Sequence, residues 1–206
     1  MVRIAVLVSG GGTNLQALID AECRGELPGG RLSLCIASNP DAYALTRARN
    51  HQMKTTVVRL RDYPDRAAYS AALVDALRAE QIELVILAGF LTILPREVIA
   101  AYPGRIINVH PSLIPSFCGE GFYGLRVHQA ALDYGVKVTG ATVHLVSEVV
   151  DGGRILLQKA VEVEKGDTPE TLQRRVMEQA EWKLLPQAAA MLCEEIRLEK
   201  ERKSEG

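Results

Sequence analysis

The chain has 206 residues, enough for a substantial buried core, and a single domain spanning 1–206 is the expectation. Its 24 Lys and Arg against 25 Asp and Glu leave a formal charge of -1, so no overall positive field draws it to nucleic acid or anionic lipid. An aromatic content of 5% offers few stacking platforms for single strands, and four scattered cysteines with no C-x-x-C pair speak against a zinc knuckle or a disulfide scaffold and fit a reducing cytoplasm.

The first apolar run, 2–8, is too short to span a membrane, lacks a signal-peptide cleavage pattern and reads as a buried strand. It opens into Ser9-Gly10-Gly11-Gly12-Thr13-Asn14, with a helix expected over 14–23. Glycines between a strand and a helix let backbone N–H groups approach an anion, and the helix N-terminus adds partial positive charge. The turn has neither G-x-G-x-x-G spacing nor the Gly-Lys-Ser/Thr of a Walker A loop, and no acidic residue closes the second strand to hold an adenosine ribose. A monophosphate therefore fits it better than a dinucleotide or ATP.

Further strand-length runs follow at 32–37, 55–58, 84–87 and 106–109, alternating with helical stretches at 42–49, 66–80 and 95–101. Continuous apolar runs suit strands covered on both faces, so the pattern predicts an α/β fold with a doubly wound, mostly parallel sheet. The fifth run leads into Asn108-Val109-His110-Pro111-Ser112. Asn108 and His110, two apart on a strand, leave the same face, and Pro111 ends the ladder. The carboxyl ends of such strands are where ligands bind. An amide donor, an imidazole and, further on, the carboxylate of Asp151 supply an oxyanion donor, an acid/base and its partner, a set suited to acyl transfer.

After Gly135 the segments 138–146 and 154–163, joined through Asp151-Gly152-Gly153, read as an added antiparallel pair. Asp167-Thr168-Pro169-Glu170 starts a terminal helix that continues through Leu172, Val176 and Leu184. Pro186 predicts a kink or break before a second helical stretch, and the mixed charges of 199–206 read as a solvated, fraying end. His128 and His144 read as structural histidines and Cys118 as a passive loop residue, and no two-His-plus-carboxylate spacing calls for a metal.

Residues 9–14, Leu87-Ala88-Gly89-Phe90-Leu91, Asn108-Val109-His110-Pro111-Ser112-Leu113-Ile114-Pro115, Gly140-Ala141-Thr142-Val143-His144, Asp151-Gly152-Gly153 and Gln158 together span nearly the whole chain. In that order they resemble the phosphoribosylglycinamide formyltransferase family, folate-dependent enzymes of the purine pathway. The resemblance implies a Rossmann-like formyltransferase fold and an enzyme that moves the formyl group of 10-formyltetrahydrofolate, a co-substrate, to the amine of 5'-phosphoribosylglycinamide in de novo purine biosynthesis, without a metal. It implies that Asn108, His110 and Asp151 are catalytic, that Gly12, Thr13 and Asn14 lie against the substrate phosphate, and that Glu181, with Gln179 nearby, holds the glycinamide-ribose part. Folate contacts would come from Arg66, Leu91, Thr92, Ile93, Leu94, Asn108, Ser147, Glu148, Val149 and Val150.

The resemblance also implies a phosphate-substrate half, 1–103, and a catalytic and folate-binding half, 104–206. The expected partners are small-molecule substrates rather than nucleic acid or membrane, and the expected state is a cytoplasmic monomer or homodimer. Asp151 is expected to raise the pKa of His110 and fix its orientation. Three features depart from the common pattern: Thr92 in place of a frequent basic residue, a longer loop at 116–124, and Trp182 in place of a histidine after Glu181. The same Asn-x-His and Asp-Gly set also serves formyltetrahydrofolate hydrolases. A non-catalytic phosphosugar- or folate-binding module is the alternative from another class.

Overall fold

The computed structural model describes residues 1–204. Five strands, β1 (Val2–Val8), β2 (Gly30–Ala37), β3 (Lys54–Val57), β4 (Leu84–Leu87) and β5 (Ile106–His110), pair in parallel, each close to the predicted run. Two more, β6 (Val138–Leu145) and β7 (Ile155–Glu162), continue the sheet antiparallel, giving the order β3-β2-β1-β4-β5-β6-β7.

The apolar runs work because both faces of the sheet are covered. On β1, Val2, Ile4, Val6 and Val8 pack into one buried cluster, with α1 (Thr13–Cys23) and α2 (Ala44–Asn50), while Ala5 and Leu7 pack into the other, with α3 (Arg66–Ala79) and α4 (Arg96–Ala101). That alternation of side chains to opposite faces is the strand period itself. Strand order reverses direction at β1 and β4, and a crevice opens there beyond the carboxyl ends of the strands. The glycine turn leaves β1 and the 88–94 segment leaves β4. The two are tied together where Ser9 N–H donates to Gly89 O at 3.1 Å and Leu91 N–H donates to Ser9 Oγ at 2.9 Å.

Three features differ from the sequence expectations. A helix, α5 (Leu125–Tyr134), stands between two glycines where none was anticipated; its buried face is only Val127, His128 and Ala131. The terminal helices are α6 (Pro169–Val176) and α7 (Trp182–Ser204), and the break falls at a π turn, Met177–Glu181, not at Pro186, through which α7 runs on. The proline lies early in α7, just after the π turn, where the backbone has already departed from α geometry. The tail is helical to Ser204 and tied down: Arg105 Nη2 meets Glu199 at 2.6 Å, and Lys200 pairs with Glu83. Glu205 and Gly206 of the expected fraying end lie outside the described residues. Among the described residues, no helix is long and apolar enough to cross a membrane.

Candidate active site

β5 and β6 pair so that Asn108 lies opposite His144 and His110 opposite Thr142. Asn108 and His110 thus project from the same face at the end of β5, as their spacing requires, and His144 joins them from across the ladder. Asp151 reaches this cluster from the β6–β7 connection, with its side chain 9% exposed. Its backbone has φ 54°, in the left-handed region that Asp tolerates better than most residues. The next two residues must be small. A Cβ on Gly152 would lie 2.6 Å from Val149 Cγ1, and one on Gly153 would lie 1.7 Å from the Leu145 carbonyl oxygen. The Asp-Gly-Gly sequence is therefore what lets this connection fold back tightly enough to bring the carboxylate in.

Asn108 Nδ2 lies 3.2 Å from His144 Nε2 and 3.4 Å from Asp151 Oδ1. His144 Nδ1 is 2.9 Å from the Leu145 carbonyl, which can only accept, so that nitrogen carries the proton and Nε2 accepts from Asn108. The same logic fixes the other ring. His110 Nε2 donates to the Phe117 carbonyl at 2.8 Å, so in the neutral imidazole Nδ1 carries the lone pair, 3.4 Å from Asp151 Oδ2. Asp151 Oδ2 also accepts from Gly119 N–H at 2.9 Å.

The pKa of His110 lies below its ordinary value, because burial of the imidazole outweighs the upward pull of Asp151 and of the Phe117 carbonyl. The sequence expectation of a net rise is corrected on this point: Asp151 acts in the expected direction but desolvation exceeds it. Burial pushes the Asp151 carboxyl upward, yet the adjacent His144 ring, the charge of His110 and the Gly119 N–H together hold it below its ordinary value. The turn after His110 is braced by Thr142, whose hydroxyl donates to Ser112 O at 2.7 Å and accepts from Ile114 N–H at 3.1 Å and Gln158 Nε2 at 3.0 Å.

This cluster forms one wall of a cavity of about 490 Å³. Leu91, Thr92, Ile93 and Leu94 line one side and Ser147, Glu148, Val149 and Val150 another, so every residue expected at the folate site except Arg66 faces this space. Arg66 is exposed at the rim, where its guanidinium donates to Ile93 O at 3.2 Å. Segment 119–124 of the longer loop also lines the cavity. His144 and this loop segment are the features that sequence reasoning assigned no site role. The signal for His144 was its alternation with Thr142, which fixes a face but not the register that sets it opposite Asn108.

The glycine turn occupies a separate position at the head of α1. Gly12 has φ 73° and no room for a side chain, since a Cβ there would lie 2.6 Å from Ala44 Cβ. Asn14 Nδ2 donates to Glu181 Oε2 at 2.7 Å, linking the turn to the π turn of the terminal helices. Burial pushes the Glu181 carboxyl up to about 7, with the Asn14 contact opposing it. Thr13 lines a second hollow of about 370 Å³ together with Gln16, Arg47, Glu178, Trp182 and Lys183. Gln179 is exposed and lines neither space, so of the two positions expected to hold the ribose only Glu181 is joined to the turn.

Comparison with known proteins gives the family and the fold. The family model described as formyl transferase matches residues 2–189. The phosphoribosylglycinamide formyltransferase of Arabidopsis thaliana chloroplasts is 38% identical over 194 residues, covering 94% of this chain and 66% of that protein. The trifunctional purine biosynthetic protein adenosine-3 of Bos taurus is 41% identical over 191 residues, 93% of this chain, which corresponds to 18% of its length. The chain thus spans only part of these two relatives. A crystal structure of glycinamide ribonucleotide transformylase 1 from Symbiobacterium toebii superposes with a TM-score of 0.88 at 43% identity, covering 94% of this chain and 88% of that one. With a family match over most of the chain and the same fold in a solved relative, the chain belongs to the formyl transferase family, on the phosphoribosylglycinamide formyltransferase side of it.

Proposed function

We propose that this protein transfers the formyl group of 10-formyltetrahydrofolate to the amine of 5'-phosphoribosylglycinamide. The observation that carries the proposal is the convergence of Asn108, His110 and Asp151 on one cavity, beside a glycine turn with free backbone donors. The cavity fits a folate-sized ligand. Exposed apolar side chains, Leu91, Ile93, Val149 and Val150, suit a planar ring and an aryl group, and backbone groups between them suit the ring's polar edge. The folate supplies an activated formyl carbon.

Asn108 Nδ2 holds Asp151 only at 3.4 Å, the long limit of a hydrogen bond, so one of its N–H groups can turn to the formyl oxygen as negative charge grows there. His110, neutral near pH 7 because its pKa is depressed, takes the proton that the attacking amine sheds. The acceptor is Nδ1, since Nε2–H is committed to the Phe117 carbonyl. Asp151 stabilises the imidazolium so formed and lets it pass the proton to the departing nitrogen. General acid/base action is worth about 10²–10⁴-fold and one oxyanion donor about 10²–10³-fold, with positioning of the two substrates supplying the rest. The attacking nitrogen belongs to the substrate, so no enzyme nucleophile is required and Cys118 has no part.

The ribonucleotide phosphate is assigned to Gly12, Thr13 and Asn14, and its ribose to Glu181; the 1–103 half binds it and the 104–206 half holds the catalytic group. The purified chain incubated with glycinamide ribonucleotide and the formyl donor is expected to formylate the amine. Equal release of formate with or without the ribonucleotide would mark a hydrolase, and binding of both ligands with no turnover would mark a non-catalytic module; either overturns the assignment.

A further inference from the structure

We propose that Arg47 is a positioning residue that presets the glycine turn for the substrate phosphate, an inference that rests on the assignment of that phosphate to the turn. In a trans peptide the C=O and N–H point in opposite directions, so anchoring a carbonyl aims the N–H of the next residue the other way. Two carbonyls of the turn are anchored on α2. Ala44 N–H donates to Gly10 O at 3.1 Å, and Arg47 Nε–H donates to Gly11 O at 2.9 Å. The N–H groups of Gly11 and Gly12 are thereby turned away from α2. Those two groups and the N–H groups of Thr13 and Asn14 make no hydrogen bond among the described residues, and no side chain caps α1.

The side chain of Arg47 is also held by Gln16 and Tyr43. Its Nη1 donates to Gln16 Oε1 at 2.9 Å, its guanidinium sits 5.0 Å above the Tyr43 ring, and the close approach of Gly12 to Ala44 fixes the distance between turn and helix. Among the described residues no carboxylate lies within ion-pair distance of it, so its charge is not spent on a partner. Arg47 also lines the hollow of about 370 Å³ that Thr13 borders, which keeps that charge beside the turn. A planar fork that reaches a backbone carbonyl and a side-chain amide at once is an arginine property that lysine shares only in part.

The test compares wild type with Arg47→Ala and Arg47→Lys, reading kcat, both KM values, and inhibition by glycinamide riboside, the dephosphorylated substrate. For Arg47→Ala the ribonucleotide KM is expected to rise about 10- to 100-fold, the effect of a lost charge-assisted contact. kcat and the formyl-donor KM should stay within about 3-fold, and inhibition by the riboside should not change. Lysine, which keeps the charge but loses the fork, is expected to fall between. A general structural defect would move both KM values and the riboside together and would overturn the inference.

Loss of the Arg47 role and loss of the phosphate site would look different. If wild type prefers the ribonucleotide over the riboside and Arg47→Ala keeps that preference, Arg47 does not preset the turn although the phosphate assignment stands. If wild type shows no preference at all, the assignment itself is wrong. Should the alanine variant not fold, Arg47→Lys decides: an unchanged ribonucleotide KM contradicts the proposal.

Discussion

His110 and Asp151 show how burial and partnership compete at a single side chain. Without the carboxylate, an imidazole 4% exposed would lose its proton still more readily; with it, the pKa remains below the ordinary value of about 6.5. If His110 is the base proposed above, the reaction needs the neutral ring, and kcat/KM is expected to fall as pH drops through a midpoint below that value and to stay level from there to neutrality. An acid limb centred above pH 7 would contradict this. Nitrogen-15 shifts of His110 at pH 7 are expected to report a proton on Nε2, as the Phe117 carbonyl requires.

A second buried histidine carries a stability consequence. Burial first, and the charge of His110 second, push His128 down to about 4, and among the described residues neither ring nitrogen has a partner. The unfolded chain takes up a proton near pH 6.5 and the folded one does not, so the contribution of His128 is full above pH 6.5 and is lost as pH falls toward 4, by about 3 kcal/mol at most. Replacing it with Leu should flatten the fall of Tm across that window; an unchanged slope would remove His128 as its cause. At this scale the sequence carried the types and spacing of Asn108, His110 and Asp151. It carried neither the tautomers nor the sign of the His110 shift, because both depend on carbonyls and burial supplied by other elements.

Elements decide how tightly the Asp151 carboxylate is delivered. The β6–β7 connection passes so close to Leu145 that Gly153→Ala puts a Cβ inside the van der Waals radius of its carbonyl oxygen. That variant is expected to lose at least about 3 kcal/mol of stability, and turnover with it, as Asp151 is displaced. Full activity in a stable Gly153→Ala protein would show that the connection is not fixed. The seven strands and the helices after the first four were legible because apolar runs and alternation are local signals. α5 was not legible: it is ten residues long, bounded by Gly124 and Gly135, and buries only Val127, His128 and Ala131, too narrow a stripe to stand out. The π turn was equally hidden, since nothing local to Met177–Glu181 distinguishes it, whereas Pro186 advertised a break that the helix accommodates.

Across the whole molecule, the sheet separates stability from chemistry. Its two buried clusters lie on opposite faces, while the site gathers at the carboxyl edge where β1, β4 and β5 end. Ile86, fully buried on β4, packs into the cluster on the sheet face opposite to that of its cavity-lining neighbour Leu87, so Ile86→Ala should cost about 2–5 kcal/mol in stability and leave both KM values little changed. A shifted KM would mean that core and site are not separable. The overall architecture was readable because a doubly wound pattern leaves few alternatives. The pairing of β5 with β6, which brings His144 to Asn108, was not, because antiparallel register across a long connection leaves no local trace.

The most direct measurement is steady-state turnover of Asp151→Asn with both substrates saturating. Asparagine tolerates the left-handed backbone of position 151 and keeps a carbonyl oxygen for Gly119 N–H, so fold and binding should survive. kcat is expected to fall by about 10²-fold or more with both KM values little changed. Near-normal turnover would take Asp151 out of the chemistry, and with it the claim that Asn108, His110 and Asp151 act as one group.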